Sequence, residues 1–147
     1  MDLIFVSYSH ADQPWLDRLR IHLRPLERDR TIDYWDDGKI RPGTVWRDEI
    51  RSAIQKARVA VLLISADFLA SDFVAADELP PLLAAAADRG TLILPLLISP
   101  CRFMKIPSLS RFQSINSPSQ PLIGLARAES EAMFVKLADA IEDAMSG

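Results

Sequence analysis

The residues able to do chemistry gather in three short polar stretches. The first is Ser7-Tyr8-Ser9-His10, and the second is Asp36-Asp37-Gly38-Lys39-Ile40-Arg41-Pro42-Gly43. The third runs from Ser65 to Glu78 and ends on the acidic pair Asp77-Glu78. A carboxylate in such a place stabilises positive charge that develops on a bound ligand. Tyr8, Trp35, Trp46 and Phe73 supply flat rings on which a heterocycle could stack. Other chemistries find less support. Cys101 follows Ser99-Pro100 with no histidine nearby in sequence to activate it, and reads as a structural thiol. His10, His22 and Cys101 cannot complete a tetrahedral zinc site without carboxylate help, so no metal is expected. Neither G-x-G-x-x-G nor G-x4-G-K-[ST] occurs, so no glycine loop of those kinds cradles phosphate.

The polar stretches each follow an apolar run. Leu3 to Ser7 and Val59 to Ser65 are continuous apolar segments, the pattern of parallel strands buried on both faces. Thr31 to Trp35 and Thr91 to Ile98 complete four expected strands, and Arg111 to Asn116 is a weaker candidate for a fifth at the sheet edge. Between them lie helical periods. Asp12 is placed to cap a helix with Pro14 in its first turn and Trp15, Leu19, His22 or Leu23, and Leu26 inward. Thr44 is placed to cap the next, with Asp48 and Glu49 near its positive end and Trp46, Ile50, Ile54 and Ala57 inward. A loop is expected from Ala66 to Asp72, then a helical stretch from Phe73 to Asp88 interrupted at Pro80-Pro81 and ended by Gly90. Ser130 is placed to cap a last helix whose apolar face is Phe134, Leu137, Ile141 and Met145.

Strands alternating with helices imply right-handed crossovers, hence a flavodoxin-like doubly wound parallel sheet of about five strands with helices on both faces. Ligands of such sheets bind beyond the carboxyl ends of the strands, which is where the three polar stretches fall. The 147 residues suit one domain, residues 1–147, and with 49% hydrophobic and 25% charged residues the chain reads as a folded globular protein. One cysteine allows no internal disulfide and fits a reducing compartment. A net charge of −3 with mixed signs leaves no basic face for nucleic acid. No apolar run approaches the ~20 residues needed to cross a bilayer, and Met1-Asp2-Leu3 opens unlike a signal peptide; a cytoplasmic protein without membrane contact is expected.

The run Ile4-Phe5-Val6-Ser7-Tyr8-Ser9-His10-Ala11-Asp12 resembles the first conserved box of TIR (Toll/interleukin-receptor) domains. Trp35 to Gly43, ending Arg41-Pro42-Gly43, resembles their second box, the BB loop. Ala57-Arg58 with Val59 to Ser65 resembles the third strand, and Phe68 to Phe73 followed by Glu78-Leu79 resembles the segment that carries the family's catalytic glutamate. The match is good over residues 1–98 and closest to bacterial TIR domains. A response-regulator receiver shares the architecture but would need acidic residues where Ser7-Tyr8-Ser9 and Ser65-Ala66 stand.

The resemblance implies cleavage of NAD at its nicotinamide–ribose bond, with NAD as substrate and no resident cofactor. Glu78 is then the catalytic carboxylate. Tyr8, Ser9, His10, Trp35, Arg41, Trp46 and Phe73 are the nucleotide-binding candidates, and Lys39, Ile40, Arg41 and Gly43 those for self-association. The sequence departs from the family pattern in two respects, the first being Phe73 where the family usually has a tryptophan. Glu78 lies one residue beyond the commonest spacing, and Asp77 occupies that spacing, so both carboxylates remain candidates; the Glu-Leu pair favours Glu78. The resemblance also suggests an immune-type effector, part of a longer protein, that assembles head to tail with other TIR domains. A non-enzymatic adaptor or a sensor of a nucleotide-derived signal would share these boxes.

Overall fold

The computed structural model describes residues 3–146; Met1, Asp2 and Gly147 lie outside the described residues. Among these, four parallel strands form one sheet in the order β2-β1-β3-β4, with β1 at Leu3–Ser7, β2 at Asp33–Trp35, β3 at Ala57–Ile64 and β4 at Leu92–Leu97. Both central strands are almost wholly buried, as their unbroken apolar runs require. Alternate side chains leave on opposite faces and found two cores. Ile4, Val6, Val59, Val61 and Leu63 pack under α1 (Gln13–Arg28) and α6 (Arg127–Ser146) through Leu16, Leu19, Leu23, Phe134, Leu137 and Ile141. Phe5, Ala60, Leu62 and Ile64 pack on the other face with Ile50 and Ile54 of α2 (Trp46–Lys56), Phe68 of α3 (Ala66–Ala70), Leu82 of α4 (Leu79–Arg89) and Leu109 of α5 (Pro107–Ser110). The chain winds from β1 to β2 on one side and to β3 on the other, so the carboxyl ends of β1 and β3 bound a topological switch point.

Several local expectations are corrected. Asp12 precedes α1, but its carboxylate caps nothing; it accepts the buried hydroxyl of Ser65 instead. Thr44 does not cap α2 either, since its hydroxyl donates 2.7 Å to the Arg41 carbonyl and the helix starts at Trp46. The segment from Ala66 is not loop: Ser65 Oγ accepts the Phe68 amide at 3.0 Å and starts α3. The last helix begins at Arg127, with Ser130 inside its first turn. Gly90 does end α4, in the left-handed region at φ 72°.

The fifth strand is absent among the described residues, and a side chain stands in for it. Asn116 accepts the Leu97 amide through Oδ1 and donates to the Leu97 carbonyl through Nδ2, both at 2.9 Å, as a paired strand residue would. Ile115 adds a 2.8 Å bond to the Pro95 carbonyl, and Ile123 one of 2.9 Å to that of Ile98. Because a buried backbone group left unpaired costs about 1–3 kcal/mol, Asn116→Ala should lower unfolding free energy by about 2 kcal/mol in urea titrations. A change under about 0.5 kcal/mol would refute this role.

Candidate functional site

Ser7 ends β1, and its Oγ donates 2.6 Å to Oε1 of Glu78; neither residue is more than 1% exposed. Glu78 comes inward because the chain from Val74 to Glu78 forms a π turn rather than an α turn. Such a turn accommodates one extra residue within a helix and recurs at functional sites. An extra residue of this kind matches the one-residue offset that the resemblance implies before Glu78. Its neighbour Asp77 faces α2, where its carboxylate lies 3.5 Å from Arg47 Nε. The two candidate carboxylates are therefore separated by the turn: Glu78 meets the end of β1, and Asp77 does not.

Burial pushes the Glu78 carboxyl up to about 8, with Asp37, Asp36 and Asp77 adding to the rise and the Ser7 hydroxyl opposing it. Glu78 is thus held neutral over much of the physiological range, bonded to a hydroxyl and shielded from water. Burial likewise raises the Tyr8 hydroxyl, and the neighbouring carboxylates Asp37 and Asp36 raise it further.

A cavity of about 620 Å³ opens beyond these strand ends, within the size of small-molecule sites. Tyr8, Ser9, His10, Ile40, Trp46 and Phe73, all expected near the crevice, line it. Trp46 and Phe73 face each other with ring centroids 5.7 Å apart at 46°. Trp46 is 39% exposed at the start of α2, so it serves this wall rather than the helix's buried stripe. Glu78 does not line the cavity; Ser7, its partner, directly precedes the lining residue Tyr8.

Other expected residues lie elsewhere. Trp35 stacks on Phe5 at 5.1 Å and 22° on the core below α2, away from the cavity lining. Arg41 reaches out to Glu49, its Nε 2.8 Å from Oε1, and draws that carboxyl below its ordinary range. Lys39 donates 2.7 Å to the Tyr34 carbonyl. Gly43 has φ 84°, a left-handed value suited to glycine, where the loop turns into α2.

Asp37, Gly38, Asp67, Ala70 and Ser71, which fall within the polar stretches but to which the sequence assigned no individual role, also line the cavity. Asp36, at the end of β2, accepts the Tyr34 hydroxyl and the Gly38 amide, the latter at 2.7 Å. Gly38 has no room for a side chain there, since a Cβ would sit 2.8 Å from Asp36 Oδ1. The D-x-G spacing of Asp36 to Gly38, an Asx-type turn, was the available signal.

A family profile described as TIR domain matches residues 4–133. The chain belongs to the TIR-domain family. A curated relative, the uncharacterized protein y4lF of Sinorhizobium fredii, is 26% identical over 144 residues. That alignment takes in 98% of this chain but 44% of the relative, so the chain spans less than half of that protein's length. Among solved structures, the TIR domain of the Toll-related receptor TRR-2 from Hydra magnipapillata superposes with a TM-score of 0.62 over 96% of each chain. At 16% identity this likeness concerns the fold alone. The parallel sheet with helices on both faces is thus the TIR fold, with four strands where about five were expected. Among the described residues, no helix of this TIR domain is long and apolar enough to cross a membrane.

Proposed function

We propose that this TIR domain cleaves NAD at the nicotinamide–ribose bond, as a cytoplasmic immune-type effector of the bacterial kind that needs no resident cofactor. The observation that carries this reading is a buried glutamate, Glu78, bonded to the last residue of β1 at the switch point, next to an aromatic-walled cavity. In the reaction the C1′–N1 bond breaks and its electron pair goes to the ring nitrogen, which releases neutral nicotinamide. The ribose carbon becomes oxocarbenium-like, a charge that one nearby carboxylate stabilises. Water, or an adenine nitrogen for a cyclised product, then closes on C1′ and loses a proton where it attacks as water. No leaving-group acid is required, so a single carboxylate suffices. Glu78 must emerge from beneath the wall and ionise to act, and a shift of the π turn at Val74–Glu78 would bring it out. Release of nicotinamide from NAD by the purified chain tests the reading; none across a wide range of protein concentration would refute it.

A non-enzymatic scaffold is the second reading, favoured by the burial of Glu78 away from the cavity surface. The two readings meet in self-association. Ile40, half-buried against the core but lining the cavity, and Val45 at 63% exposure form an apolar edge beside the cavity. A loop that covers a neighbour's cavity makes a heterologous contact, which grows open arrays rather than closed dimers. Specific activity should therefore rise at least about tenfold from dilute to concentrated protein, the scale of a modest coupling between sites. Ile40→Asp should remove that rise and leave the fold intact. Flat specific activity from a chain that stays monomeric by light scattering would contradict the assembly requirement.

A further inference from the structure

The cavity has an unusual charge for a site expected to take a dinucleotide. Among the described residues, no lysine or arginine lines it, whereas Asp37 and Asp67 do. The side chain of Asp37 is only 9% exposed. Its Oδ2 lies 2.8 Å from Nε2 of the largely exposed His10, but Oδ1 is buried and has no hydrogen-bond partner. The Asp37 carboxylate is thus met on Oδ2 by the His10 ring and neighbours the Tyr8 hydroxyl, while Oδ1 keeps no hydrogen-bond partner, at a wall where water screens poorly. Opposite charge is drawn to such a wall, and the tilted Trp46 and Phe73 rings favour a flat cation over a neutral ring of the same shape.

We infer that Asp37 makes the cavity selective for a cationic heteroaromatic ring, so that the pyridinium end of the substrate enters it and the anionic diphosphate stays outside. The inference rests on the proposed function and adds to it an orientation and a specificity residue. Asp37 acts as counter-charge to the ground-state cation, and its grip weakens once the ring departs as a neutral molecule. It is a binding residue rather than a participant in bond cleavage.

The test uses two probes of nearly one shape, the 1-methylnicotinamide cation and neutral nicotinamide, titrated into the whole chain by ligand-detected NMR. The wild-type chain should bind the cation at least tenfold more tightly. Asp37→Asn should erase most of that preference and leave nicotinamide affinity unchanged, whereas Asp67→Asn, at an exposed position, should keep most of it. The melting temperature of Asp37→Asn should hold or rise, because the change removes a carboxylate whose buried Oδ1 has no hydrogen-bond partner; a carboxylate with a purely structural role would lower it. Equal affinity for the two rings, no binding of either, a preference that survives Asp37→Asn, or an equal loss in Asp67→Asn would each overturn the inference. The two readings fail separately. A chain that releases nicotinamide from NAD but has no Asp37-dependent preference retains the function and loses this assignment. A chain that prefers the cation through Asp37 but never cleaves NAD retains the assignment and loses the function.

Discussion

Glu78→Gln lowers NAD cleavage by at least ~10²-fold, the scale of removing one electrostatic stabiliser from a reacting centre. Glutamine keeps the shape of the side chain and still accepts the 2.6 Å bond from Ser7, so the fold has no reason to fail. What is lost is the negative charge opposite the ribose cation. The companion change Asp77→Asn removes a partner of Arg47 on a half-exposed surface, where ion pairs are worth ~1 kcal/mol or less, and activity should stay within a few fold. Nicotinamide release measured for both variants decides between them. Full activity in Glu78→Gln with loss in Asp77→Asn would mean that the π turn unwinds in the working state and that the outer carboxylate does the chemistry.

The same side chain ties stability to pH. Sequence alone suggests that residue 78 is an exposed position where a polar swap costs almost nothing; the structure overturns this, because Glu78 is buried. Its carboxyl titrates near 8 in the folded chain against an ordinary 4.5, so between these values the folded state holds a proton that the unfolded state has released. Stability is then fully present below about pH 4.5, falls as pH rises through the window, and levels off above about 8. Every tenfold gain in proton affinity on folding corresponds to about 1.4 kcal/mol, and local opening reduces the total, so a loss of about 2–4 kcal/mol is expected. Glu78→Gln has no such proton to lose. It should melt close to the wild-type chain at pH 5 and about 5–10 °C above it at pH 8.5. Asp12, whose carboxyl is also raised by burial, is present in both proteins, so their difference isolates Glu78. Parallel melting curves at every pH would show that Glu78 is ionised or solvated in the folded chain.

The same contrast, charge made costly by burial, explains what could and could not be read from the residues. The central strands were legible because burial on both faces demands unbroken apolar runs, and Leu3 to Ser7 and Val59 to Ile64 have them. The helix faces of Leu19, Leu23, Phe134, Leu137 and Ile141 followed from the 3.6-residue period. Hydroxyl side chains were less informative, since Thr44 and Ser130 donate to nearby carbonyls while Ser65, not assigned as a cap, starts α3. Each can bond backbone on either side, and only the folded neighbours decide. The π turn left one trace, the extra residue before Glu78, and spacing alone could not say which carboxylate turns inward. Asp37 was hidden for a different reason. It stands among polar loop residues, and its importance lies in an oxygen that the fold does not satisfy, which is a property of the tertiary structure.

The amide of Asn116 has a consequence for how copies of this domain could meet. By occupying Leu97 from the side, with Ile115 on the Pro95 carbonyl, it covers the carboxyl end of that border of the sheet, while Lys39 holds the Tyr34 carbonyl near the opposite border. Unprotected borders recruit foreign strands and drive disordered aggregation. With these positions occupied, the carboxyl end of that border presents side chains rather than free strand backbone.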